Sequence, residues 1–118
     1  MKEGSWIREF PAAITVCDPR GKILAMNEKA CATFAKEGGA GLIGTNLLAC
    51  HPEPSRTRVA AMLASGVRNV YTIEKGGVKK LIFQSPWYAE QRYAGFVEIS
   101  LPLPDDMPHF KRDAQSND

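Results

Sequence analysis

Nowhere in the chain do apolar residues run for the ~20 positions that a membrane-spanning helix requires. The opening Met1-Lys2-Glu3-Gly4-Ser5-Trp6 also lacks the apolar stretch of a signal peptide. The expectation is a soluble, cytoplasmic protein with no membrane partner. Cysteine is scarce: Cys17, Cys31 and Cys50 are odd in number and no two stand in C-x-x-C spacing. That excludes a disulfide framework and a zinc ribbon, and implies reduced thiols. A charge excess of one sign is missing too. Fifteen Lys and Arg against thirteen Asp and Glu leave a net charge of +2, well mixed along the chain. No basic field exists to draw in nucleic acid. Only two histidines occur, His51 and His109. A metal site would need Cys17, Cys31, Cys50 and His51 to converge from distant positions, so none is expected.

What is present suits one ordinary globular domain. The chain has 118 residues, of which 44% are hydrophobic and 24% charged. A chain of this length buries about two thirds of its unfolded surface without staples. Trp6, Ile7 and Phe10 behind Ser5 predict a short serine-capped helix stopped by Pro11. The β-branched run Ile14-Thr15-Val16 predicts a strand over 13–17, and Asp18-Pro19-Arg20-Gly21 a type I turn into a returning strand over 22–26. Asn27 is placed to cap a helix carrying the apolar stripe Ala30, Cys31, Phe34 and Ala35, closed by Lys36 and Gly38. Short helical turns are expected near Thr45–Leu48. Ser55 is expected to cap a longer helix, with Val59, Met62 and Leu63 on one face and Gly66 as its stop. Three strands follow, over 68–74, 78–88 and 93–101, joined at Gly76-Gly77 and at Glu90–Arg92. The prolines from Pro102 onward are expected to end the sheet. The organisation predicted is an N-terminal helical extension over 1–10, one domain over 11–101 and a frayed tail over 102–118.

Ile14-Thr15-Val16-Cys17-Asp18, followed by Gly21-Lys22-Ile23-Leu24-Ala25-Met26-Asn27, resembles the hydrophobic-strand, D-x-x-G-x-I-x-x-x-N opening of PAS domains. The order strand, strand, short helices, three strands is similar to the same family over about residues 10–101. The Cys50-His51-Pro52 step resembles a subgroup of PAS-like modules found in bacterial signalling proteins. The resemblance implies an α+β fold: a five-stranded antiparallel sheet with helices packed on one face. It implies a sensory module without enzymatic activity, which binds a small molecule between sheet and helices, forms a homodimer, or both. With only a tail after Leu101, the chain reads either as a module acting in trans or as part of a longer protein.

Several residues carry the candidate chemistry. Flavin-binding photosensory PAS domains place a reactive cysteine directly after G-x-N. Here Gly44-Thr45-Asn46 is followed by Leu47, which argues against flavin. Haem-binding members hang the iron from a histidine near the long helix, which makes His51 the candidate haem ligand. Its bland alternative is a helix-ending turn, with Cys50 tucked into the core and the imidazole bonded to backbone. A Cys50–His51 catalytic pair is disfavoured because adjacent side chains project apart. The expected cavity lining is Phe34, Leu47, Cys50, Met62, Leu63, Tyr71, Phe83 and Phe96. Any ring facing away from the helices would mark a dimer surface. Arg56, Arg58 and Arg68 could meet an anionic ligand, or simply form solvated faces.

Overall fold

The structure is a computed structural model and describes residues 4–113. Both ends of the expected extension and tail, residues 1–3 and 114–118, lie outside the described residues. Five strands, β1 (Ala13–Cys17), β2 (Ile23–Met26), β3 (Asn69–Lys75), β4 (Val78–Ala89) and β5 (Arg92–Leu103), form one antiparallel sheet in the order β2-β1-β5-β4-β3. The first strand of the chain therefore pairs with the last, Ile14 opposite Ile99 and Val16 opposite Val97. Between β2 and β3 the chain builds α1 (Glu28–Thr33), three 3-10 turns and α2 (Ser55–Ser65) on one face of the sheet.

Turn chemistry explains the hairpins. Asp18 accepts through Oδ1 from the amides of Arg20 and Lys22, and its carbonyl accepts from Gly21, whose φ of 92° is in the left-handed region. The β4–β5 loop holds only Glu90 and Gln91 between the paired Ala89 and Arg92, at φ of 51° and 67°. Two positive φ values in a two-residue loop match the right-handed twist of the strands, at a cost for side chains that prefer negative φ.

Asn27 is the hinge between the layers. It is buried; its Oδ1 accepts from the amides of Ala30 and Ile14, and its Nδ2 donates to the carbonyl oxygens of Ala12 and Ile7. One side chain thus caps α1 and ties it to β1. Asn46 repeats the capping move at the turn Leu47–Cys50, accepting from Leu48 and donating to the Arg20 carbonyl. Gly66 ends α2 at φ 66°, its amide donating to Met62.

Four local expectations change. The N-terminal helix is only a 3-10 turn over Ser5–Ile7, led by Gly4 with no side-chain cap, because Pro11 follows too soon for an α-helix to propagate. The helix after Asn27 ends at Thr33 and continues as a 3-10 turn over Ala35–Glu37. Ser55 makes no cap to α2; Glu53 accepts instead from the amide and hydroxyl of Thr57. Those bonds, the hydroxyl's first, hold the Glu53 carboxyl below its ordinary value. Finally, β5 runs past Leu101 to Leu103, with Pro102 opposite Lys80. Beyond Ser100 the strand pairs with β4 alone, so a prolyl nitrogen at this open edge forfeits no ladder bond.

The core joins sheet to helices at one end. Cys17, Leu63 and Phe96 are buried together, with Leu47, Leu48, Val59, Met62 and Tyr93 packed around them. The Tyr93 hydroxyl donates to the Leu63 carbonyl at 2.8 Å, and its ring meets Phe96 edge-on. Gly95 permits β1 and β5 to close here, since a Cβ at this position would run into the Cys17 carbonyl and lie 2.8 Å from Asp18 Cα.

Candidate ligand cavity

Beyond that core the helices stand away from the sheet and enclose a cavity of about 480 Å³. On the sheet its wall is built from alternate residues: Thr15 and Cys17 of β1, Tyr71 and Ile73 of β3, Ile82 and Gln84 of β4, Phe96 and Glu98 of β5. Period-two alternation then turns Leu81, Phe83, Ile99 and Leu101 to the opposite face. Tyr71 and Ile73 face the cavity and are still 42% and 39% exposed, so the space opens to solvent beside β3.

Seven of the eight lining residues expected from sequence meet here: Phe34, Leu47, Cys50, Met62, Leu63, Tyr71 and Phe96. Phe83 is the correction. It lies one residue out of phase with Ile82 and Gln84, and the Arg68 guanidinium sits over its ring at 5.6 Å. That stacking also separates Arg68 from Arg56, whose Nε donates to the His51 carbonyl. None of Arg56, Arg58 and Arg68 lines the cavity, so the three do not form an anion site there.

His51 lines the cavity half-buried, its Nδ1 2.6 Å from the Leu47 carbonyl oxygen. A carbonyl only accepts, so Nδ1 donates, and in the neutral ring Nε2 carries the lone pair. Cys50 is exposed at the cavity rim rather than tucked into the core, because the 3-10 turn Leu47–Cys50 packs Leu47 and Leu48, half-buried, against the core instead. Among the described residues no group of three or more His, Cys, Asp or Glu gathers where a metal could bind.

Sequence reasoning missed the polar row. Thr15, Glu98, Gln84 and Asn69 are successive register partners across β1, β5, β4 and β3. Asn69 Nδ2 donates to Gln84 Oε1 at 3.0 Å, and Gln84 Nε2 donates to Glu98 Oε2 at 2.8 Å. Burial, and then the Glu98 carboxylate beside it, push the Tyr71 phenol above its ordinary value. The signal lay in β5 itself, where Phe96, Glu98 and Ser100 alternate with Val97, Ile99 and Leu101.

No family model matches the chain, and no curated protein does either. Solved structures do. The PAS domain of an HTR-like protein from Haloarcula marismortui aligns with a TM-score of 0.59 at 16% identity, over 83% of this chain and 86% of that one. The Aer2 receptor of Vibrio cholerae, a dual PAS-haem oxygen sensor, gives 0.57 at 14%, over 79% and 95%. The PAS domain of nitrogen regulation protein NR(II) from Vibrio parahaemolyticus gives 0.55 at 14%, over 83% and 94%. Identities this low speak to architecture, and the strand order, the helices on one face and the neighbours agree on it: the chain has the fold of a PAS domain.

Proposed function

We propose that this PAS domain is a cytoplasmic sensory module that binds a small molecule in the cavity between sheet and helices and catalyses no reaction. The observation that carries the reading is the cavity itself. Its 480 Å³ falls within the ~300–1,000 Å³ range of small-molecule sites, and its lining is mainly apolar with a few converging polar groups. A ligand there would cover Tyr71 and Ile73, and would bridge the sheet to α2 and the Leu47–Cys50 turn. Binding would then shift the population of sheet–helix arrangements, which is how such a module would signal. The test is thermal-shift screening of the full chain against metabolites. A saturable rise in Tm supports the reading, since a ligand at a hundredfold its Kd adds about 2.7 kcal/mol. If no compound raises Tm, the reading fails.

A second reading concerns the opposite face. Leu81, Phe83, Ile99 and Leu101, each half-buried, make an apolar outer face suited to a homodimer, with the N-terminal turn beside it against Ile14 and Val16. Sedimentation across a dilution series tests it, and a monomer throughout would reject it. Haem on His51 is the third reading, supported by the free Nε2 lone pair and by the fold shared with the Aer2 oxygen sensor. A Soret band after reconstitution, lost in His51→Ala, is the expected sign; a colourless protein rejects it.

A further inference from the structure

We infer that the cavity selects a ligand bearing a cationic nitrogen, an amine or amidine, which is held against the Glu98 carboxylate. The inference rests on the small-molecule reading above and specifies its chemistry. Asn69, Gln84 and Glu98 form a relay in which each amide donates in the same direction, from β3 through β4 to β5. The relay ends on an acceptor. Glu98 lines the cavity, its Oε2 is satisfied by Gln84, and among the described residues its Oε1 receives no hydrogen bond. The order of the relay fixes what its end offers. Gln84 has committed its carbonyl to Asn69 and one N–H to Glu98, and its amide also bonds the Tyr71 phenol, so the row ends at the cavity on a carboxylate lone pair.

A carboxylate on a mainly apolar wall is stabilised by a cation and penalises an anion in the same space. Thr15, opposite Glu98 on β1, adds a hydroxyl that accepts from a second N–H. Tyr71, two residues along β3 from Asn69, stays protonated at neutral pH and presents an aromatic face, which also favours a cation. The cations on the same wall do not cancel this. Lys80 faces the cavity opposite Pro102, four residues along β5 from Glu98, a backbone separation of about 13 Å at ordinary strand rise, and no ion pair joins the two side chains among the described residues. Lys75 is farther still, beside the Gly76-Gly77 turn and exposed, where solvent screens it.

The experiment uses the full chain and matched probes that differ only in the end group: phenethylamine, 2-phenylethanol and phenylacetate, with the corresponding aliphatic trio butylamine, butanol and butyrate. Calorimetry and thermal shift are read for wild type and Glu98→Gln, a variant that keeps an acceptor for Gln84. The amines are expected to bind tightest, and Glu98→Gln to weaken them about tenfold or more while leaving the alcohols within about twofold. Unliganded melting of the variant, compared with wild type, verifies that it folds. Carboxylates binding as well as amines, or amine affinity unchanged in Glu98→Gln, would overturn the inference and leave the small-molecule reading standing. Binding by no probe of any class would likewise overturn the inference, and the metabolite screen then decides the small-molecule reading.

Discussion

Replacing Asn27 by Ala tests how the two layers are joined. The substitution deletes an acceptor shared by the amides of Ala30 and Ile14, each at 3.0 Å, and a donor to the Ala12 carbonyl at 2.8 Å. Loss of the α1 cap alone costs about 1 kcal/mol. The Ile14 amide and the Ala12 carbonyl belong to buried residues, and each such orphaned group adds about 1–3 kcal/mol. The sum is about 3–7 kcal/mol, a large share of the ~5–15 kcal/mol that holds a domain together. Asn46→Ala is the control: it removes the same kind of cap at an exposed position and should cost only about 1 kcal/mol. Urea unfolding followed by far-UV circular dichroism reads both. With an m-value of about 1.5–2 kcal/mol/M, the Asn27→Ala midpoint should fall by about 2–4 M and the Asn46→Ala midpoint by about 0.5 M. Equal shifts in the two variants, with m unchanged, would refute the argument, because they would show that burial of the Asn27 network adds nothing to its capping role.

Gly95→Ala should disrupt the β1–β5 closure, since the new methyl meets the Cys17 carbonyl; a melting temperature within about 2 °C of wild type would contradict this. Gln91→Gly should stabilise by about 0.5–1 kcal/mol, seen as a raised urea midpoint, by relieving a non-glycine residue at φ 67°. Burial, the dominant cause, pushes the Cys17 thiol up, and also the phenols of Tyr71 and Tyr93. A raised folded-state value means that the folded chain holds these protons more tightly, so stability is intact below the unfolded thiol's ~8.5 and is lost as pH rises through the folded value. Melting temperature should therefore decline above pH about 8.5, and Cys17→Ala should flatten the decline below pH about 10, before the phenols contribute; an unaltered slope would clear Cys17 of the effect.

The parts of the fold that were legible in the sequence are those in which one residue type has one local job. Asp18, Gly21 and Asn27 each sit where turn and cap chemistry demands them, and β1, β2 and the three late strands follow at nearly their expected limits. Competition between neighbours was not legible. Ser55 and Glu53 both could serve the start of α2, and the longer carboxylate reaches Thr57 while the serine makes no cap. Nor could Pro102 be judged without knowing that β1 stops pairing at Ala13 and Ser100, because a proline is excluded only where a ladder bond is needed.

The site shows why face assignment is harder than strand assignment. In β4 the run Leu81-Ile82-Phe83 is apolar on both faces, so composition gives no parity, and the largest ring was the natural choice for the interior. Side chains repeat every two residues, so one misjudged residue would place the whole face wrongly. The register supplies what β4 lacks: Gln84 pairs with Glu98 and Phe83 with Ile99. Once Phe96 is buried with Cys17 and Leu63, Glu98 must share its side of β5, Gln84 must follow, and Phe83 must turn outward. The polar row inside the cavity and the apolar face outside it are therefore a single consequence of where Phe96 packs. Exchanging the two faces would place Ile99 and Leu101 over the cavity and leave Glu98 in solvent, which would remove the sheet carboxylate on which cation selection depends.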